Sequence, residues 1–151
     1  MGMSEGSVLL RCRLCATVNR VAANRLADQP KCGRCKALLE FPKTPVEVTA
    51  ANFDGEVLGS PGAVLVFFWA PWCAHCRAMI PIIEGLGRQR AGMLKVATVN
   101  TEKESLLARR FDILSVPRLE LYRNGKKINE LNGAVKKQEL EEWLDYLMRL
   151  Q

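Results

Sequence analysis

Aromatic residues are scarce in this 151-residue chain, at 7% of the total, and none occurs before Phe41. The first forty positions therefore offer no surface on which a nucleic acid base could stack. Histidine is scarcer still, with His75 the single example. None of the Cys-x-x-Cys pairs is followed by His, which excludes covalent haem attachment. Long apolar runs are missing as well. No stretch approaches the roughly 18 residues of a membrane-spanning helix, so no membrane association is expected. The segment Met1 to Leu10 has neither a basic start nor a long apolar middle. No secretory signal is expected, and with it a cytoplasmic location.

Charge is present but uneven. Residues 1–43 hold eight Lys/Arg against three Asp/Glu, whereas the rest of the chain is nearly balanced. Two readings fit a basic N-terminal piece: a solvated surface around a cluster of thiolates, or a nucleic acid patch. The lack of stacking residues disfavours the second, and no nucleic acid partner is expected.

The six cysteines form three pairs, Cys12/Cys15, Cys32/Cys35 and Cys73/Cys76. Without an export signal, such spacing points to metal binding or catalysis rather than a structural disulfide framework. The first two pairs are separated by sixteen residues. Four thiolates in two knuckles match a structural tetrahedral zinc site, leaving no open coordination position for catalysis. Iron, an iron–sulfur cluster or disulfides are the alternatives. Gly33 suits a knuckle turn, and a module of about 40 residues has too little core to fold without its metal.

Pro42-Lys43-Thr44-Pro45 reads as a linker, since each proline disfavours helix in its predecessor. The expected division is a ribbon over 1–42, a linker over 43–46 and a second domain over 47–151. Residues 1–42 lack helical periodicity and read as loop-rich. Beyond the linker the pattern alternates. Val46 to Val48 suggests a short strand, and Thr49 or Asn52 caps a short helix reaching Leu58. Ala63 to Trp69 is continuously apolar, as in a strand buried on both faces. Pro71 to Arg90 reads as helix with a kink at Pro81. A strand over Met93 to Val99 and a helix over Glu102 to Arg110 follow. Strands at Arg118 to Tyr122 and Lys127 to Leu131 flank the hairpin signal Asn124-Gly125. Lys136 to Leu150 closes the chain as an amphipathic helix with Leu140, Trp143, Leu144 and Leu147 on one stripe. This order predicts an α/β fold with one mixed central sheet and helices on both faces.

Cys73 and Cys76 fall where the apolar strand gives way to a helix. A helix N-terminus favours a thiolate, and a thiolate is the nucleophile of disulfide exchange. Cys73 is therefore the expected attacking sulfur. Cys76, three residues on, can reach back to resolve a mixed disulfide.

Phe68-Trp69-Ala70-Pro71-Trp72-Cys73, Cys76-Arg77, Pro81, Val116-Pro117, Asn124-Gly125 and Gly133 together resemble the thioredoxin family over essentially all of residues 46–151. Cys32-Gly33-Arg34-Cys35, Val99-Asn100-Thr101-Glu102 and Leu131-Asn132-Gly133-Ala134-Val135 make the whole chain similar to members with an N-terminal zinc ribbon. The resemblance implies a thioredoxin fold and protein disulfides as substrates. It also implies an upstream dithiol reductase such as a thioredoxin reductase. Val116-Pro117 is expected to be a cis peptide beside Cys73, its backbone pairing with an extended substrate. Trp72 and Gly133 are expected to flank the substrate groove, with Trp69 packing beneath. A monomer is the default expectation.

Three departures from the family stand out. Ala74-His75 replaces the Gly-Pro dipeptide of thioredoxins and resembles disulfide isomerases and periplasmic oxidases. An imidazolium at His75 would favour a Cys73 thiolate. A solvent-exposed His75 with little coupling is the other reading. Phe67 replaces a buried Asp that serves the resolving cysteine as proton acceptor in the family, and Thr98 replaces the Lys near that Asp. The two losses match, because either charge alone would be buried unpaired. Arg118 follows Pro117 where a Thr is usual. It is expected either to favour the Cys73 thiolate and acidic substrates, or to lie exposed on a rim. The combined expectation is a thiol–disulfide oxidoreductase more oxidising than ordinary thioredoxin. The alternative is an adaptor in which the ribbon binds a partner and the fold is a scaffold.

Overall fold

The structure is a computed structural model that describes residues 6–150. Expectations touching residues 1–5 and 151 lie outside the described residues.

The N-terminal module holds more regular structure than its sequence pattern suggests. Strands β1 (Ser7–Arg11) and β2 (Val18–Ala22) form an antiparallel hairpin, followed by a 3-10 turn over Ala23–Asp28. The loop-rich reading of 1–42 is corrected accordingly. Five-residue strands around a metal knuckle are too short to show clear alternation. The module's own core is small, namely Leu10, Val21 and Leu39 around the buried Cys12 and Cys32.

The second domain is built on a five-stranded sheet. Its strands are β3 (Val46–Glu47), β4 (Ala63–Trp69), β5 (Leu94–Asn100), β6 (Arg118–Arg123) and β7 (Lys126–Asn132), in the order β3-β5-β4-β6-β7. β3 and β4 run parallel to β5, whereas β6 is antiparallel to both β4 and β7. Central β4 is buried on both faces, which explains its unbroken apolar run. Ala63, Leu65 and Phe67 face a cluster with Met79, Ile83 and Leu86 of helix α1 (Ala74–Gln89) and Leu140, Leu144 and Leu147 of α3 (Lys137–Arg149). Val64, Val66 and Phe68 face the opposite cluster with Phe53, Val57, and Leu107 of α2 (Ser105–Arg110). This is the expected mixed sheet with helices on both sides.

Local differences have local causes. The segment before β4 is a π-turn over Asp54–Leu58 rather than an α-helix, closed by the Gly59 amide on the Asp54 carbonyl at 2.7 Å. Thr49 and Asn52 do not cap this element, whose first residue follows Phe53 with no side-chain cap, but close the turn before it: Thr49 Oγ1 accepts from the Ala51 amide, and Asn52 Oδ1 accepts from the Thr49 amide. Helix α2 begins at Ser105, not Glu102. Asn100 Oδ1 accepts from the Glu102 and Lys103 amides and holds that stretch as a turn. Helix α1 begins at Ala74 and continues through Pro81. At the hairpin, Asn124 and Gly125 both adopt positive φ, as a primed turn requires.

The two modules touch. Arg11 Nε donates to the Gly59 carbonyl at 3.0 Å, and Arg13 reaches Glu56 at 3.3 Å. Glu56 also holds the nearly buried Lys95 at 2.7 Å. The stretch expected to be a linker does not hang free. Its Lys43 carbonyl passes so close to Gly87 of α1 that a β-carbon there would lie 3.2 Å away.

Candidate functional site

The redox centre forms where β4 ends. Trp69 leaves the sheet, and the Cys73 amide donates to the Ala70 carbonyl at 3.1 Å, turning the chain into α1. Arg77 braces that loop from the helix by donating to the Pro71 carbonyl at 2.7 Å. Cys73 thus becomes the N-cap of α1, and its sulfur accepts the Cys76 amide at 3.1 Å. Serine and aspartate commonly fill this position because the first-turn amides lack partners. In this chain the sulfur takes that role, and a thiolate would accept the same bond more strongly.

Cys73 and Cys76 are joined as a disulfide, with Cα atoms 5.2 Å apart. Cys76 is fully buried and Cys73 is 6% exposed. Only Cys73 retains any exposure, so only it can meet a macromolecular substrate. Phe67 lies beneath, 1% exposed, in the same apolar cluster as both cysteines. Its neighbours across the sheet are Thr98 on β5 and Leu119 on β6. Phe67 and Thr98 both line a cavity of about 370 Å³ that reaches Glu84 and the linker residues Thr44 and Pro45. Among the described residues, no carboxylate or imidazole forms a hydrogen bond with the Cys76 sulfur.

The flanking expectations are distributed unevenly. The Val116-Pro117 peptide is cis, and the Val116 carbonyl oxygen lies 3.8 Å from Cys73 Sγ. Gly133 adopts φ +91°, and its amide donates to the Pro117 carbonyl at 2.9 Å. Trp72 is 70% exposed beside Cys73, whereas Trp69 is packed against the core. His75 occupies the first helical turn with its ring in solvent. Arg118 is not aimed at the sulfurs. Its guanidinium lies on Glu120 and Glu130, at 2.7 and 2.9 Å, on the far face of the sheet.

That ion-pair group contains the residues that sequence reasoning missed. Glu120 is completely buried, and its carboxylate also accepts from Tyr122 Oη at 2.8 Å. Burial, reinforced by this bond to Glu120, pushes the Tyr122 phenol well above its ordinary range. The available signal was the period-two spacing Arg118, Glu120, Tyr122, which puts all three on one face of a strand.

At the other end of the chain, Cys12, Cys15, Cys32 and Cys35 converge, their sulfurs all within 4.8 Å of one another. The two knuckles share one geometry. The Cys12 amide donates to the Thr17 carbonyl and the Cys32 amide to the Ala37 carbonyl, each at 2.8 Å. Ala16 and Lys36, which follow each pair, adopt φ +66° and +67°. The Cys35 amide, the Asn19 side chain and the Arg34 amide hold the Cys32 thiol down to about 6. Four sulfurs each about 2.3 Å from a central ion would stand roughly 3.8 Å apart. The Cys12–Cys35 and Cys15–Cys32 pairs, at 3.5 and 3.6 Å, are close to that. The donor set therefore fits a zinc ion held by four thiolates. Such an ion, when bound, supplies cross-linking and not catalysis.

The sequence profile of the thioredoxin domain matches residues 44–146, and the one described as the Thioredoxin 2 N-terminal zinc ribbon matches residues 11–37. The chain belongs to the thioredoxin family. Thioredoxin C-3 of Corynebacterium nephridii is 31% identical over 144 residues, spanning 95% of this chain and 98% of that relative. Thioredoxin 1 of Nostoc sp. is 39% identical over 99 residues, or 66% of this chain and 92% of the relative. Chloroplastic thioredoxin M-type of Pisum sativum is 39% identical over 95 residues, covering 63% of this chain and 55% of the relative. Membership makes the chain a thiol–disulfide oxidoreductase with a zinc-ribbon module in front. Among the described residues, no helix is long and apolar enough to cross a membrane.

Proposed function

We propose that this thioredoxin-family protein exchanges its dithiol with protein disulfides, Cys73 attacking and Cys76 resolving, and that its disulfide is more oxidising than that of ordinary thioredoxin. The observation that carries the roles is the asymmetry at the start of α1. The sulfur of the slightly exposed Cys73 caps the helix, and Cys76 is sealed behind it. In the reductive direction, the Cys73 thiolate attacks one substrate sulfur and the other leaves as a thiolate. Cys76, after losing its proton, attacks Cys73 Sγ, and the second substrate sulfur departs. Two electrons and two protons pass to the substrate, leaving the Cys73–Cys76 disulfide. An upstream dithiol reductase would restore the dithiol, and the fit is to a cytoplasmic monomer.

Support for the oxidising tendency is the pairing of His75 with Phe67. His75 in the first turn adds a group that favours a thiolate when protonated. Phe67 removes a buried negative charge that would disfavour one. The backbone around Val116, Pro117 and Gly133, with exposed Trp72, forms the proposed substrate groove. Arg118 contributes through its backbone there, since its side chain is engaged by Glu120 and Glu130. Zinc at Cys12, Cys15, Cys32 and Cys35 is the proposed structural ion, in a ribbon joined to the thioredoxin domain through residues 43–45, since Val46 already pairs with Ala97 in the sheet rather than belonging to the expected linker.

Insulin reduction by the wild type, compared with Cys73→Ser, tests the exchange activity. Loss in the variant is expected, whereas equal rates would favour the adaptor role. Equilibration with glutathione tests the direction. Family potentials run from about −270 mV to about −120 mV. A value at or below about −270 mV would refute the oxidising tendency.

A further inference from the structure

Strand β7 is the edge of the sheet, and its last residues carry the groove. Asn132 pairs with Arg118, and beyond them the Gly133 amide makes a final rung to the Pro117 carbonyl. An edge strand frays most easily at its end. One feature of the ladder should promote fraying here: Glu120 lies directly across from Glu130. Like charges facing each other across a strand pair are destabilising.

Two cations counter this. Arg118 donates Nε to Glu120 at 2.9 Å and Nη2 to Glu130 at 2.9 Å, so one guanidinium spans both strands. Lys127 lies 3.4 Å from Glu120 and also pairs with Glu130. Asn132 Nδ2 donates to Glu130 at 3.1 Å, tying the residue before Gly133 into the same group. Two acids and two bases therefore balance. The guanidinium's planar fork is what lets one side chain engage both carboxylates.

We infer that the Arg118–Glu120–Glu130 group is a positioning device for substrate capture: it clamps the strand that follows Pro117 to the strand that ends at Gly133. The inference rests on the groove described under the proposed function. A pre-ordered groove lowers the ordering required when an extended polypeptide binds. Arg118 is thus a positioning residue that never touches the sulfurs.

The test compares wild type, Arg118→Met, Arg118→Lys and Glu130→Gln. Each is assayed for reduction of insulin, with KM and kcat separated, and for reaction with dithiobis(nitrobenzoate), a small disulfide that needs no groove. Arg118→Met is expected to raise KM for insulin about five- to tenfold, with kcat and the small-disulfide rate within about twofold. Arg118→Lys keeps the charge without the fork and should recover only part of the loss. If circular dichroism shows Arg118→Met unfolded, Glu130→Gln decides. It retains the buried Arg118–Glu120 pair and relieves the repulsion between the two carboxylates, but it gives up the ion pairs of Glu130 with both Arg118 and Lys127, a net weakening of the clamp that should raise KM two- to threefold. An unchanged KM in the folded variant overturns the inference. So does equal loss on both substrates. A third overturning result is an effect confined to acidic substrates that disappears at high salt, which would mark Arg118 as a direct contact. Failure of the wild type to reduce insulin would instead refute the underlying function.

Discussion

Replacing Phe67 by aspartate puts a carboxyl beneath the redox pair, and the structure allows its consequences to be worked out. Phe67 is 1% exposed and shares a cluster with Cys76 and Ile83. Truncating such an aromatic costs about 3–5 kcal/mol. The new carboxyl adds a pH-dependent part. Burial without a basic partner raises its folded pKa above the unfolded value of about 3.9. Stability is then intact below about pH 3.9 and falls by about 1.36 kcal/mol per unit as pH rises toward the folded pKa. A folded value near 7 removes about 4 kcal/mol. Together these losses approach the whole stability of an ordinary domain. The variant should therefore be studied from about pH 6 upward for as long as it stays folded, with Phe67→Ala as the control for lost packing. The assay is the lifetime of the mixed disulfide between Cys73 and a peptide, followed by acid quench. A correctly placed general base contributes about 10²–10⁴-fold. Resolution by Cys76 is expected to accelerate at least tenfold in Phe67→Asp as the carboxyl ionises, and not in Phe67→Ala. A folded Phe67→Asp protein whose mixed disulfide persists as long as wild type at every pH would refute the reasoning, because proton loss from Cys76 would not be the slow step.

Other perturbations probe separate parts of the molecule. Replacing His75 by Pro removes the ionisable group of the first turn, and the equilibrium potential against glutathione should fall by about 30 mV or more; no change would leave His75 a bystander. Stripping metal with a strong chelator, or Cys32→Ser, should abolish the ribbon's tertiary amide signals in NMR while the thioredoxin domain's persist, since Leu10, Val21 and Leu39 make too small a core alone. Gly125→Ala forces a side chain onto φ +83° with its β-carbon 2.6 Å from the Leu58 carbonyl oxygen, so denaturant midpoints should report a loss of about 1–3 kcal/mol. Burial opposes ionisation of Glu56, but the bond and charge of Lys95 and then the charge of Arg13 outweigh it and lower its pKa. Its contribution is therefore present above the unfolded value of about 4.3 and lost as pH falls through the folded one. Glu56 keeps part of its surface in solvent, and burial cancels much of what its cations contribute, so about 1 kcal/mol or less should separate wild type from Glu56→Gln at pH 7, and the difference should vanish near pH 3.

Short-range chemistry made much of this protein legible in one dimension. The unbroken apolar run of β4 meant burial on both faces because a strand's side chains alternate. Asn124-Gly125 meant a hairpin because few residues accept positive φ. Cysteine pairs three residues apart meant knuckles or a helix-capping thiol because that spacing brings sulfurs together locally. The ribbon strands escaped notice because five residues beside a metal knuckle leave too short a pattern. Helix α2 started late because Asn100 captured two amides, a competition that periodicity does not register.

What no local pattern contained is the meeting of distant segments. Arg118 looked like a cation beside the redox pair, because it follows Pro117 in sequence. A strand sends successive side chains to opposite faces, so its guanidinium went away from the sulfurs, and the pairing of β6 with β7 delivered Glu130 to it. Glu120 is buried with Arg118 of its own strand on one side and Lys127, which the same pairing delivers, on the other. The amino-acid sequence alone determined the chemistry of the redox pair and of each cysteine knuckle, whose partners are three residues apart, whereas the fold brought the two knuckles together. Tertiary structure alone decided which charges are neighbours, because that depends on register between strands and not on distance along the chain.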